Sequence, residues 1–372
     1  MDGKIPPLPK RMTTFRLQLH ANMPDLIIYG AYGYTGELIV RRAVEQGLRP
    51  VIAGRNSAQL EAMAKRFDLA WKACGLTNEA ELDDLLQGAK VLIHAAGPFI
   101  HTSMPMVEAC IRNRVHYTDI TGEIEVFRQA HDHDARAKEQ GVMLLPGVGF
   151  DVVPSDCLAA HLHARMPDAT DLVLAFSSSG RSSRGTSLTV VEGLGKGGAI
   201  REHGGLKAVP DAYHVHNFNF GGRNLSAVTI PWGDVFTAFI STGIPNVRVY
   251  MSMPPKMIRA LRIGRWFGWI TASTWFKDRL RRSIKAGKPG PSDAERAKGF
   301  VDLVGTVSNA RGEQLTSTIR TPDGYTLTAM SAVHIAGEVL KGNFKPGFQT
   351  PGLVYGAELI TTFTATGFVD QV

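Results

Sequence analysis

A short apolar run, Leu26-Ile27-Ile28-Tyr29, leads straight into Gly30, Gly33 and Gly36, and an amphipathic stretch begins at Glu37-Leu38. Glycine at this spacing suits a strand–turn–helix that takes a dinucleotide. The turn needs unusual backbone angles, a pyrophosphate must approach the main chain, and the helix must pack close to the strand. The helix N-terminus then offers N–H groups and partial positive charge to the phosphates. Tyr32, Tyr34 and Thr35 fill the turn and are candidate cofactor contacts with the three glycines.

The second apolar run, ending Val51-Ile52-Ala53-Gly54, is followed by Arg55-Asn56-Ser57. An NAD enzyme normally places a carboxylate here on the ribose hydroxyls. A carboxylate repels a 2′-phosphate, whereas the Arg55 guanidinium forms charge-assisted bonds to one. Asn56 and Ser57 add neutral donors and also suit the start of the following helix. NADP(H) is therefore the expected cofactor. Ligands in open parallel sheets sit at the carboxyl ends of the strands. The small residues of Ala96-Gly97-Pro98-Phe99 leave room there for ribose and nicotinamide, and Pro98 stops the strand.

Hydride transfer needs geometry and a dry pocket first and a proton donor second. Tyr117, Asp119 and Asp151 are the polar residues expected to face the nicotinamide, with Asp119 or Asp151 as proton relay unless each merely holds a turn. No tyrosine is followed by lysine four residues on, which excludes the Tyr-x-x-x-Lys chemistry of short-chain dehydrogenases. Ser182-Ser183-Arg184-Gly185-Thr186 reads as a polar turn opening a helix from Ser187 to about Leu194. A basic residue at such an N-terminus makes Arg184 and Thr186 candidates for a substrate carboxylate or thioester-linked phosphate, the alternative being an ordinary cap beside an exposed arginine. His131-Asp132-His133-Asp134 has the wrong spacing for a metal on one helix face, and no metal site is expected.

These residues need elements to hold them. Leu26–Tyr29, Pro50–Ala53, Val91–Ala95 and Val142–Leu145 are apolar runs of the kind buried on both faces of a sheet. Glu37–Gln46, Ser57–Phe67, Glu79–Leu86, Met104–Asn113 and Glu123–Gln140 alternate with them at helix length. The alternation predicts an α/β fold with a doubly wound parallel sheet over residues 24–150. Residues 151–330 mix Thr/Val/Phe-rich runs with glycine-rich breaks, as a second domain around a mixed or antiparallel sheet. Thr350 through Phe363 reads as a glycine-containing helix without an evident packing partner. Residues 1–23 are basic and carry three prolines, which predicts a disordered leader.

The 372 residues, 44% hydrophobic and 20% charged, exclude a fibrous or largely disordered chain. Three scattered cysteines exclude a disulfide scaffold and a zinc ribbon and suit a reducing compartment, with cytoplasm the expected location. The net charge of +7 arises wholly in residues 256–288, where ten basic residues accompany one acid, Asp278. Trp266, Trp269 and Trp275 lie in the same segment with Phe267 and Phe276. On a helix, Lys256, Arg259, Arg262 and Arg265 sweep one side and Met257, Ala260, Leu261 and Gly264 the other. Such a segment suits peripheral contact with acidic lipid, a dock for an acidic acyl carrier, a lid over a lipid-like substrate, or a solvated basic face above core tryptophans. Nothing reads as a nucleic-acid site.

The chain resembles the saccharopine dehydrogenase-like oxidoreductases, particularly the trans-acting enoyl reductase branch. The residues that carry the likeness are Gly30 to Gly36, Ala53-Gly54-Arg55, Ala96 to Phe99, Tyr117-Thr118-Asp119, Gly149 to Asp156, Ser183 to Thr186, Gly290-Pro291-Ser292 and Glu295-Arg296. The resemblance implies a split Rossmann-type domain, an inserted central α+β domain over the nicotinamide, and a C-terminal segment, 331–372, returning to the first domain. It also implies reduction by NADPH. Expected is reduction of an enoyl thioester on a lipid-like acyl substrate, placing the chain in lipid metabolism, with homodimerisation as a further expectation. The alternatives are a saccharopine-type imine or amino-acid dehydrogenase and a non-catalytic NADP(H)-binding sensor.

Overall fold

The computed structural model describes residues 25–264, 266, 269, 273–365 and 367–371. The expected leader, 1–23, and Arg265 and Phe267 of the basic segment lie outside the described residues. Seven parallel strands form the first sheet: Leu26–Tyr29, Val51–Gly54, Trp71–Ala73, Val91–His94, His116–Asp119, Met143–Leu145 and Gly347–Phe348. In chain order they run seventh, sixth, fifth, fourth, first, second, third across the sheet. The direction of winding reverses between the first and fourth strands, which opens a crevice at their carboxyl ends. The first strand is buried on both faces. Leu26 and Ile28 join one core cluster, Ile27 and Tyr29 the other, and each such aliphatic side chain contributes roughly 1.5–3 kcal/mol.

Two edge strands carry no apolar run that sequence reading could find. Trp71–Ala73 is half exposed, and Gly347–Phe348 is two residues long. Short edges limit unwanted pairing. The helix expected from Met104 begins at Phe99, with Pro105 inside it. Its start is set by Glu123, whose carboxylate accepts from the N–H groups of Phe99 (2.8 Å) and Ile100 (3.1 Å). The expected helix over Glu123–Gln140 breaks at His133 into Ile124–Asp132 and Asp134–Glu139. There the His133 ring bonds to the Gln129 carbonyl and to Glu108.

Among the described residues the second sheet has nine strands and is mixed. Ala169–Ser178 lies at its centre, parallel to Asn246–Ser252 and antiparallel to Phe300–Asn309. The helix Val153–Arg165 packs on it. Gly305 makes this approach feasible, because a Cβ there would lie 2.6 Å from Leu162 and 3.0 Å from Leu158.

From the strand Gln314–Pro322 the chain returns through the helix Gly324–Leu340, which packs on the helix Tyr34–Glu45, and then adds the seventh parallel strand. The helix expected over Thr350–Phe363 is broken: Pro351–Tyr355 ends at Gly356 (φ +77°), and a 3-10 turn, Ala357–Thr362, follows. Its partner is the helix Val153–Arg165. Asp156 there, pushed up to about 6 by burial, accepts from the Gly352 N–H and the Ser241 hydroxyl.

Candidate active site

At the end of the first strand Gly30 adopts φ +81°, and a Cβ on it would come within 2.8 Å of the Ala95–Ala96 backbone. The turn closes through Gly33 N–H to the Gly30 carbonyl (3.0 Å) and Glu37 N–H to the Gly33 carbonyl (2.8 Å). Gly36 faces the same turn so closely that a Cβ would lie 2.2 Å from the Gly30 oxygen. Gly33 is the N-cap of the helix Tyr34–Glu45, and no side chain caps it. That leaves the N-terminus available to an anion.

Beside this turn an open pocket of about 560 Å³ is lined by Tyr32, Arg55, Asn56, Ser57 and Gln59. Tyr32 lies under Gly54, where a Cβ would clash with its ring at 2.6 Å, and its hydroxyl accepts from the Arg55 N–H (3.2 Å). Asn56 caps the next helix by accepting from the Gln59 N–H, so its amide nitrogen remains to donate. Arg55 has no ion pair among the described residues, and no carboxylate lines the pocket. A 2′-phosphate fits this donor set. Arg55→Glu is expected to cost NADPH about 1.5–3 kcal/mol of binding, the range for a hydrogen bond to a charged group. Calorimetric titration checks this, and unchanged affinity removes the assignment.

Tyr34 lies elsewhere. Its hydroxyl donates to the Pro291 carbonyl (2.6 Å) and accepts from Arg296 (2.9 Å), and its ring meets Tyr325 edge-on at 5.2 Å. It ties the phosphate turn to the remote segment Pro291–Arg296, and Thr35 sits half exposed at the helix start. Tyr325, which sequence reading missed, continues the contact. Its hydroxyl lies 2.9 Å from the Thr186 hydroxyl and accepts from the Ser183 N–H. Ser183 caps the helix Arg184–Gly193, and Arg184 donates to the Gly287 carbonyl (2.6 Å). No sequence motif marks Tyr325. Its role depends on a return of the chain from far away.

At the fourth strand's exit, Ala96 and Gly97 precede a cis peptide to Pro98, and Phe99 opens the helix. Thr102 holds this exit by donating to the Ala96 carbonyl (2.7 Å) and contacting buried His94, which burial keeps neutral by lowering it to about 3. The three polar candidates then separate. Tyr117 is wholly buried and donates to Asp119 at 2.7 Å. Asp119 also accepts from the N–H groups of Thr121 (3.0 Å) and Gly147 (2.9 Å). Both its oxygens are engaged in tying the fifth strand's exit to the sixth's, and burial pushes it up to about 6. Asp151 differs. Its carboxyl lies against Gly122, where a Cβ would come 2.7 Å from Oδ2, and it makes no hydrogen bond among the described residues. Burial pushes it up to about 7. Such a group holds a proton near neutrality and can give it away.

Residues 26–145 match the family described as the saccharopine dehydrogenase NADP binding domain. A trans-acting enoyl reductase of Mycobacterium ulcerans is 27% identical over 185 residues, 46% of this chain and 44% of that protein. A saccharopine dehydrogenase-like oxidoreductase of Mus musculus is 25% identical over 203 residues, 48% of this chain and 47% of that one. The matched stretch thus spans under half of either relative. Among solved structures, apo saccharopine dehydrogenase (L-Glu forming) from Saccharomyces cerevisiae superposes with a TM-score of 0.65 at 14% identity, covering 94% of this chain and all of that one. The resemblance read from the motifs holds: residues 26–145 match an NADP binding domain, and the chain shares the fold of saccharopine dehydrogenase.

Proposed function

We propose that this saccharopine dehydrogenase-like chain is an NADPH-dependent reductase that saturates the activated C=C bond of an enoyl thioester on a lipid-like acyl substrate. The observation that carries the reading is the Asp151 carboxyl, without a hydrogen-bond partner among the described residues, lying against Gly122 and pushed up to about 7 by burial. NADPH, when bound, supplies a hydride to the β-carbon. Asp151 in its neutral form gives its proton to the α-carbon and regains one from solvent, so one hydride and one proton account for the new C–H bonds. Tyr117 and Asp119 act by holding the two strand exits at the separation this requires. Arg184 and Thr186 are engaged by Gly287, Tyr325 and the Ser183 cap, so no substrate group is placed on them. The likeness to the mycobacterial enoyl reductase supports C=C over C=N reduction.

The test is to supply NADPH deuterated on either face of C4 with a short enoyl thioester. Deuterium from one face is expected at the β-carbon of the saturated product. Transfer only to an imine formed from a keto acid and an amine would instead make this an amino-acid dehydrogenase. NADPH binding without any transfer would make it a sensor.

A further inference from the structure

We infer that the two helices Pro255–Gly264 and Thr274–Ala286, with the tryptophans between and beside them, form a surface that docks on an anionic phospholipid bilayer. The inference is independent of the proposed reaction. Trp266, Trp269 and Trp275 are 83%, 76% and 67% exposed, so the reading of them as core tryptophans is overturned. Met257 and Ile263 are also more than half exposed. The first helix is anchored through Ile258, buried beside Ala212, Val228 and Leu261. The second has no buried residue at all; it lies on the helix Arg184–Gly193, where Lys277 donates to the Glu192 carbonyl and Arg281 pairs with the Glu192 carboxylate. Large apolar groups left in water on both helices and between them in sequence are the mark of a surface that meets something.

Charge and chemistry say what that is. Lys256, Arg259, Arg262, Arg279 and Lys285 have no carboxylate within ion-pair distance among the described residues. Unpaired cations interleaved with exposed indoles fit a bilayer, where indoles settle at the boundary of headgroups and acyl chains and cations meet the phosphates. On the second helix a groove of about 380 Å³ sets Phe276 and Leu280 beside Arg279, Arg282 and Ser283. It presents an apolar floor and a guanidinium rim, suited to a phosphodiester and its first methylenes. An acidic protein would use the cations but leave the indoles without a partner. No helix among the described residues is long and apolar enough to cross a membrane.

The full chain is to be floated with vesicles of phosphatidylcholine alone or with one third phosphatidylglycerol. Retention is expected only on the anionic vesicles, with a blue shift of tryptophan emission and release at raised salt as the charges are screened. Two variants, the triple Trp266→Ala/Trp269→Ala/Trp275→Ala and the pair Arg279→Glu/Arg282→Glu, are each expected to weaken retention about tenfold or more, because each removes one of the two contributions to interfacial binding. Circular dichroism and NADPH titration of both variants should match the parent chain, which separates loss of this surface from loss of the fold or of the cofactor site. No retention on anionic vesicles, equal retention by both variants, or binding to an acidic acyl carrier protein without vesicle binding would each overturn the inference.

Discussion

Asp151→Asn is expected to lower turnover by about 10²–10⁴-fold, the usual contribution of a positioned general acid, while leaving NADPH affinity unchanged. The pH dependence identifies the cause. With its pKa pushed up to about 7, Asp151 carries its proton below that value, so the rate should be full at lower pH and decline as pH rises through 7. That limb should vanish in the asparagine variant. Stability should change in the opposite sense. The fold favours the protonated carboxyl, so the native state holds more protons than the unfolded chain between the ordinary carboxylate range and about 7, and stability falls as pH rises across that window. Asparagine removes the ionisation, and the variant should melt no lower than the parent chain at pH 8. A residue that only held its loop would give the reverse, with lost melting temperature and a preserved pH limb. Full turnover in a folded Asp151→Asn chain would retire the acid role.

Gly36→Ala should weaken NADPH binding by about 1.5–3 kcal/mol, the range for a hydrogen bond to a charged group, as the helix N–H groups withdraw from the phosphates. The added methyl would lie 2.2 Å from the Gly30 oxygen, 2.9 Å from the Ala31 oxygen and 3.0 Å from the Ala31 Cα. All are backbone atoms, so no rotamer change relieves the contact. The helix must retreat from the strand and take its N-terminus away from the phosphates. Gly337→Ala is the control, since nothing lies within 4 Å of a Cβ there. In that helix interior alanine should be neutral or stabilising by about 0.5–1 kcal/mol. Calorimetry with NADPH reads both variants. Parent-like affinity in a folded Gly36→Ala chain would mean that the turn does not carry the phosphates.

Residues 26–145 were the most legible part of the chain because their signals are local. A strand buried on both faces announces itself as an unbroken apolar run, and Gly30, Gly33 and Gly36 must be glycine for reasons contained within one turn. Arg55 was readable for the same reason, standing directly after the second strand beside the pocket that Tyr32 floors. What failed locally failed where the partner is remote. The helix at Phe99 starts early because its cap is Glu123, and the break at His133 follows from Glu108.

The amino-acid order alone thus announced the buried strands, the phosphate-binding turn and the expectation of a phosphorylated dinucleotide, since each rests on neighbours within a few residues. Tertiary structure alone decided three other matters. Tyr34 serves the domain contact through Pro291 and Arg296, more than 250 positions away. Asp119 spends its oxygens on Tyr117, Thr121 and Gly147, while the Asp151 carboxyl has no hydrogen-bond partner among the described residues. The tryptophans of the basic segment face outward, although their spacing would equally have served a core. Helical periodicity sorts side chains by face, but what covers a face, and which of several carboxyls finds donors, depends on segments that meet only when the chain closes on itself.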